Sequence, residues 1–256
     1  MPAQSKERVV PTGHVFLIFE LDGYTRHTYD NDSLKENASY STAWISGVHR
    51  NFISISAHEN SEMLVVQFKP FGSFPFLHAA TDLFNELVIP AHEVLSDSIY
   101  ELREQMTSAA DTEVVFELVE AWPLNRSDES MAHGKPLLET VTSLQDKPVH
   151  GLNALMEAYT GCQKKLIDEF KIFIGLTPKY YQRILRFNDL MQKIQHKDSV
   201  TWRDIAQDCG FSDKSHLIKE FRHFSGINPE QFISNEFHNT EPNFFPLNAY
   251  QAHGRN

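Results

Sequence analysis

Five residues within one nine-residue stretch carry side chains suited to gripping a polyanion and reading its edges: Lys214, Ser215, His216, Lys219 and Arg222. Lysine and arginine neutralise phosphates, while Lys, Ser and His exchange hydrogen bonds with base edges in a groove. A smaller set, Gln163, Lys164 and Lys165, offers the same chemistry earlier in the chain. Other chemistries find less support. There is no G-x-S-x-G elbow, no G-x-x-x-x-G-K-[ST] phosphate loop and no G-x-G-x-x-G, so no catalytic residue and no cofactor is expected. The 13 histidines include no H-x-H pair and no H-x-x-x-H on a helical run, so no metal site is expected either. Cys162 and Cys209 are too few for a disulfide framework, which fits a reducing cytoplasm. Neither cysteine has a neighbour that clearly lowers its thiol pKa.

The stretch from Thr201 to Ile233 supplies the elements that position the first set. Thr201, with Asp204 three residues on, reads as a capping box opening a short helix with Ile205 and Ala206 on its buried side. Cys209-Gly210-Phe211-Ser212 interrupts it, and Gly210 can take the positive φ of a tight helix–helix turn. A second helix is predicted from Asp213 to Phe224. Leu217, Phe221 and Phe224 fall at i, i+4 and i+7 and form one apolar stripe, leaving the polar set on the other faces. Gly226 suits the end of that helix, and Asn228-Pro229 suits the start of a third. Helix, glycine turn and polar-faced helix is the layout of a helix-turn-helix.

The residues Gly210, Phe211, Ser212, Ser215, His216, Leu217, Lys219, Phe221, Arg222, Gly226 and Pro229 follow in order the pattern of the second helix-turn-helix of the AraC/XylS family of transcriptional regulators. The chain resembles that family densely over this stretch. The resemblance implies an all-α reading domain with two helix-turn-helix units joined by a long helix, and duplex DNA as the partner. An internal repeat agrees with it. Leu166, Phe170, Lys171, Gly175 and Pro178 recur 51 residues later as Leu217, Phe221, Arg222, Gly226 and Pro229. Between the copies, Pro178 to Gln195 reads as one helix of roughly 27 Å, capped by Thr177, with a stripe of Tyr180, Ile184, Phe187, Met191 and Ile194. The first copy departs from the pattern: Thr160 stands where the family usually has Gly, and Asp168 where it usually has Arg. The second unit is therefore expected to read bases, and Gln163, Lys164 and Lys165 to reach the backbone.

Charge divides the chain. Of 256 residues carrying a net −11, residues 1–130 hold 8 Lys and Arg against 20 Asp and Glu, whereas residues 131–238 hold 14 against 13. The acid belongs to the first half, and the reading half is nearly neutral. That neutrality, with Asp168, keeps a second reading open: a ligand-binding or enzymatic protein whose helical half no longer binds DNA.

The first half opens with strand signals at Val15 to Leu21, Ala43 to Val48, Phe52 to Ala57 and Met63 to Phe68, separated by turns at Asp22-Gly23 and Asp30-Asn31-Asp32-Ser33. It then turns helical, at Asp82 to Leu87, after a capping box of Ser98 with Glu101, and after a cap at Asp111 or Thr112. An α+β domain is expected: a small antiparallel β unit followed by helices. The phrase Phe68-Lys69-Pro70-Phe71-Gly72, leading into a helix, is similar to uncharacterised N-terminal domains on one branch of AraC/XylS-like regulators. That resemblance implies binding of a small-molecule effector or formation of a homodimer. The division expected is 1–130 for effector binding or dimerisation, 131–238 for DNA, and a tail of 239–256 whose Phe244, Phe245 and Leu247 can dock. The linker falls at Asn125 to Gly134. No apolar run approaches the roughly 20 residues of a membrane span, and MPAQSKERVV has no secretory apolar region.

Overall fold

The computed structural model describes residues 5–124, 134–149, 152–159, 162–197, 199–234 and 243–247. The first half contains strands β1 (Ser5–Val9), β2 (Phe16–Glu20), β3 (Arg26–Tyr29), β4 (Glu36–Tyr40), β5 (Ala43–Ser46), β6 (Ile53–Ala57), β7 (Met63–Gln67) and β8 (Val88–Pro90). Its helices are α1 (Ser73–Leu77), α2 (His92–Leu95), α3 (Ser98–Thr107) and α4 (Thr112–Leu124). The second half contains α5 (Lys135–Asp146), α6 (Leu152–Ala158), α7 (Gln163–Ile174), α8 (Pro178–Ile194), α9 (Trp202–Asp208), α10 (Lys214–Ser225) and α11 (Pro229–Ile233), and ends on β9 (Phe244–Pro246). Most of the linker stretch lies outside the described residues.

Strand pairing is antiparallel throughout, in two sheets ordered β4-β3-β6-β1-β9 and β7-β2-β5-β8. The four strands read from the sequence are present as β2, β5, β6 and β7. Alternation sends Leu17, Phe19 and Ile45 to one face of the second sheet, where they join the apolar core of the helices. Ile18 and Trp44 face the other way and, with Tyr40, form a small separate cluster between the sheets. Beside it lies a fully buried ion pair. Glu20 accepts from Arg26 Nε and Nη2, both at 3.2 Å, and from Trp44 Nε1 at 2.9 Å. Arg26 also donates to the Ser56 carbonyl at 2.7 Å and the Ser61 hydroxyl at 2.8 Å. A buried charge pair is tolerable when most of its donors and acceptors are matched, and here four of the five Arg26 N–H groups and both Glu20 oxygens are bonded.

Ser54 and Ser56, opposite the apolar face of β6, are fully buried as well, bonded to Asn31 Oδ1 and to the His27 N–H. Some local expectations are corrected. At Asp82 to Leu87 there is only a 3₁₀ turn, Thr81–Phe84, with Leu83 and Leu87 exposed. Ser98 caps nothing, since α3 starts after Asp97 with no side-chain cap bond, whereas Asp111 accepts from the Val114 N–H as expected of a cap. Thr201 occupies the N-cap of α9 without a side-chain bond. On α8 the tyrosine that is fully buried is Tyr181, and Tyr180 stays partly open.

One apolar cluster runs from Leu17 and Phe19 through Leu95 and Ile99 to Leu166, Phe187, Phe221 and Phe224. The two halves thus share a core. Thr81 Oγ1 donates to the Phe173 carbonyl at 3.3 Å, Asn85 Nδ2 donates to the Gly175 carbonyl, and the Phe74 and Phe173 rings meet at 4.9 Å. The tail docks as well: β9 pairs with β1, and Phe245 is buried 5.4 Å from the Phe232 ring of α11.

Candidate nucleic-acid interface

Helices α9 and α10 form the helix-turn-helix that the spacing predicts. Gly210 turns the chain with φ +69°, and a side chain there would meet Val149 Cγ1 at 2.8 Å, so both conformation and space call for glycine. Asp213 caps α10, its carboxylate accepting from the His216 N–H at 2.9 Å. Those backbone hydrogen bonds, then the Ser212 hydroxyl, hold the Asp213 carboxyl below the ordinary carboxylate range. Leu217, Phe221 and Phe224 are fully buried against α8, where Phe187 meets Phe221 at 5.5 Å and Phe224 at 5.1 Å. At the far end Gly226 is left-handed, and Asn228 and Gln231 complete a reciprocal capping box on α11.

With that stripe buried, Lys214, Ser215, Lys219 and Arg222 are left exposed together along one arc of α10, with the partly buried Ile218 among them. Lys214 pairs with Glu230 at 3.3 Å, and Arg222 Nε donates to Asn228 Oδ1. His216 stands apart from the other four. Its ring packs edge-on to Phe211 at 5.5 Å, and its Nδ1 accepts from the Ser212 N–H at 3.3 Å. Nδ1 is then the unprotonated nitrogen, which leaves Nε2 as the free donor.

The first unit comprises α6 and α7. Thr160 and Gly161 of its turn lie outside the described residues. Gln163, Lys164, Lys165 and Asp168 are all exposed on α7, with Lys165 3.7 Å from Glu169. Glu169 also accepts from the Tyr159 hydroxyl at 2.7 Å, and desolvation together with that carboxylate pushes the Tyr159 pKa up to about 12. Helix α8 separates the two units and, at 17 residues, spans about 25 Å.

Two arginines of α8 set the second unit in place, and neither stood out in the sequence. Arg183 makes a two-pronged bond to Glu220 of α10, at 2.8 and 2.9 Å, while stacking over the Tyr180 ring at 4.6 Å and the Phe224 ring at 5.3 Å. Arg186 donates to the carbonyls of Cys209, at 2.9 Å, and Gly210, so a cation meets the otherwise orphaned carbonyls at the end of α9. The only signal available beforehand was two arginines spaced three apart on an amphipathic helix. Cys209, buried beneath this contact, has its thiol pushed up to about 12 chiefly by desolvation, which keeps it unreactive.

Residues 162–235 match a helix-turn-helix domain family, and residues 1–90 match a domain of unknown function, DUF6597. The C-terminal part carries an AraC-type helix-turn-helix domain. Around this AraC-type domain the whole fold is similar to ToxT from Vibrio cholerae. The crystal structure of ToxT bound to (E)-4-(8-methylnaphthalen-1-yl)but-3-enoic acid has a TM-score of 0.50 at 9% identity, covering 90% of this chain and 95% of that one. Unsaturated fatty acid bound ToxT gives 0.49 at 12% identity, with 93% and 92% covered. A transcriptional regulator with an AraC-type DNA-binding domain, from Chromobacterium violaceum, covers 40% of this chain and 94% of its own at 23% identity, with a TM-score of 0.35. Among curated proteins no sequence matches. The shared architecture is a β-containing first half in front of a helical second half. No helix among the described residues is long and apolar enough to cross a membrane.

Proposed function

We propose that this chain is a sequence-specific DNA-binding transcriptional regulator that reads duplex DNA mainly through α10. The observation that carries the reading is the division of α10 itself: three buried aromatic and aliphatic anchors, and an exposed arc of Lys214, Ser215, Lys219 and Arg222. Lys214, Ser215 and Lys219 reach base edges, His216 adds its Nε2 donor, and Arg222 holds a phosphate. The ion pair of Lys214 with Glu230 is exposed and exchanges readily for a phosphate or a base. On α7, Gln163, Lys164 and Lys165 hold the backbone and add little sequence choice, because Asp168 is exposed on the same helix.

In this reading residues 131–238 are the DNA module, and residues 1–130 bind an effector or form a homodimer. Within the tail 239–256, β9 ties the two together. A cytoplasmic regulator without enzymatic activity is the role these assignments describe. The test is binding to a pool of random duplexes between about 50 and 200 mM salt. Alanine at both Lys164 and Lys165 should weaken all sequences alike and flatten the salt slope by about 2 units at most. An unchanged slope would remove α7 from the interface, and no binding by the full chain at low salt would remove the function.

A further inference from the structure

A cleft of about 570 Å³ opens in the first half, between the β3–β4 turn, the start of β4, the loop 47–52 and residues 86–88. That volume is ordinary for a small-molecule site. Its wall combines carboxylates at Asp32 and Glu86, amides at Asn37 and Asn51, and the rings of Tyr40 and Phe52. No lysine or arginine lines it. An anion entering would meet the carboxylates of Asp30, Asp32 and Glu86, with the His49 imidazole, 3.7 Å from Glu86, as the one lining group able to oppose them, whereas a hydroxyl- or amine-bearing molecule would find acceptors, donors and aromatic faces.

The loop 47–52 has a second side. Its Arg50 N–H donates to Glu86 Oε1 at 2.7 Å, and its Arg50 carbonyl accepts from the Tyr180 hydroxyl of α8 at 3.0 Å. The same hydroxyl lies 2.7 Å from Nε2 of His223, on α10. Two residues on, the Phe52 ring stacks under the Arg8 guanidinium at 4.6 Å, and Arg8 Nη1 donates to the Gly226 carbonyl at the end of α10 at 2.9 Å. The cleft wall and the C-terminal anchor of the reading helix are therefore one short segment of chain.

We propose that this cleft binds a small polar molecule that is neutral or positively charged, and that loop 47–52 passes its occupancy to α10. The relay half rests on α10 being the DNA reader. A ligand that holds Glu86 or Asn51 prefers one loop conformation, and through Tyr180 and Arg8 that preference tilts the far end of α10. The coupling then equals the ligand's difference in affinity between the two loop conformations. Tyr180 acts here as a positioning residue.

Three probes of equal length decide the class: putrescine, erythritol and succinate, each titrated at constant ionic strength against the full chain. Melting temperature reports occupancy, and duplex affinity reports the relay. Putrescine or erythritol should raise the melting temperature and shift duplex affinity about fivefold or more, and succinate should do neither. Ala38→Trp, which fills the cleft, should abolish the melting shift. Tyr180→Phe should keep that shift and lose the change in affinity. Stabilisation by succinate alone, or by none of the three, overturns the site. An affinity change that survives in Tyr180→Phe overturns the relay. A full chain that binds no duplex would instead sink the DNA reading, with the melting arm still deciding the cleft.

Discussion

Replacing Arg183 with Met should loosen α10 from α8 by an amount the geometry bounds. Breaking a buried ion pair leaves an uncompensated charge at a cost of about 3–5 kcal/mol, whereas an exposed pair is worth about 0–1 kcal/mol. The Arg183 side chain is 29% exposed and that of Glu220 12%, so the pair lies between these limits. Methionine retains part of the contact with Tyr180 and Phe224 and leaves Glu220 without its partner. About 2 kcal/mol of destabilisation is expected, a fall of about 4–8 °C in melting temperature for a chain of this size. Removing both charges with Arg183→Met and Glu220→Leu should recover most of the loss. The pH dependence carries a sign. Burial pushes the Glu220 carboxyl up, but the hydrogen bonds and charge of Arg183 outweigh it and hold the pKa below its ordinary 4.5. A depressed carboxylate contributes stability that is present above its unfolded pKa and lost as pH falls through its folded one. The gap between wild type and Arg183→Met should therefore be full near neutrality and close below about pH 4.5. Calorimetric melts of the four proteins of this double-mutant cycle, repeated across pH, make the check. Strictly additive single and double changes, or a gap that widens in acid, would refute the reasoning.

Two further substitutions probe the frame around α10. Arg26→Met should cost about 3–5 kcal/mol, because it leaves the fully buried Glu20 charge facing only Trp44 Nε1; chemical denaturation measures it, and a loss under about 1 kcal/mol would mean water reaches the pair. Phe245→Ala should cost about 3–5 kcal/mol by emptying the site beside Phe232 and freeing β9 from β1; a variant as stable as wild type would show that the tail does not dock in solution.

What was legible in the sequence followed the reach of each signal. The helical half spoke through local rules: three apolar residues at helical spacing, a glycine where the chain turns left-handed, Asn228-Pro229 at a helix start. All of these depend on residues within a few positions of one another, and each took its expected place. The β half was less readable because its pairing is not local. β9 joins β1 across more than 230 residues, and no neighbouring residue announces it. β1, β3 and β4, with the sequences SKERV, RHTY and ENASY, are too short and polar to alternate visibly. Glu20 and Arg26 would ordinarily be placed in solvent; each is buried only because the other sheet brings its counter-charge. At the candidate interface the exposed residues of α10 were readable, as polar positions off an apolar stripe. Arg183 and Arg186 were not, since their partners at Glu220, Cys209 and Gly210 lie on other elements and only packing shows them.

The central claim is that the exposed arc of α10 chooses the sequence. Selection of bound sites from a random duplex library, run in parallel on the wild-type chain and on Ser215→Ala/Lys219→Ala, tests it most directly. Both side chains lie off the buried stripe, so the variant should keep its helical content and melting temperature. Wild type should enrich a defined site, and the variant should lose or change the preference at particular positions, each lost base contact costing about 1–3 kcal/mol of discrimination. The same site enriched to the same degree by both proteins, or no site enriched by wild type, would contradict the account.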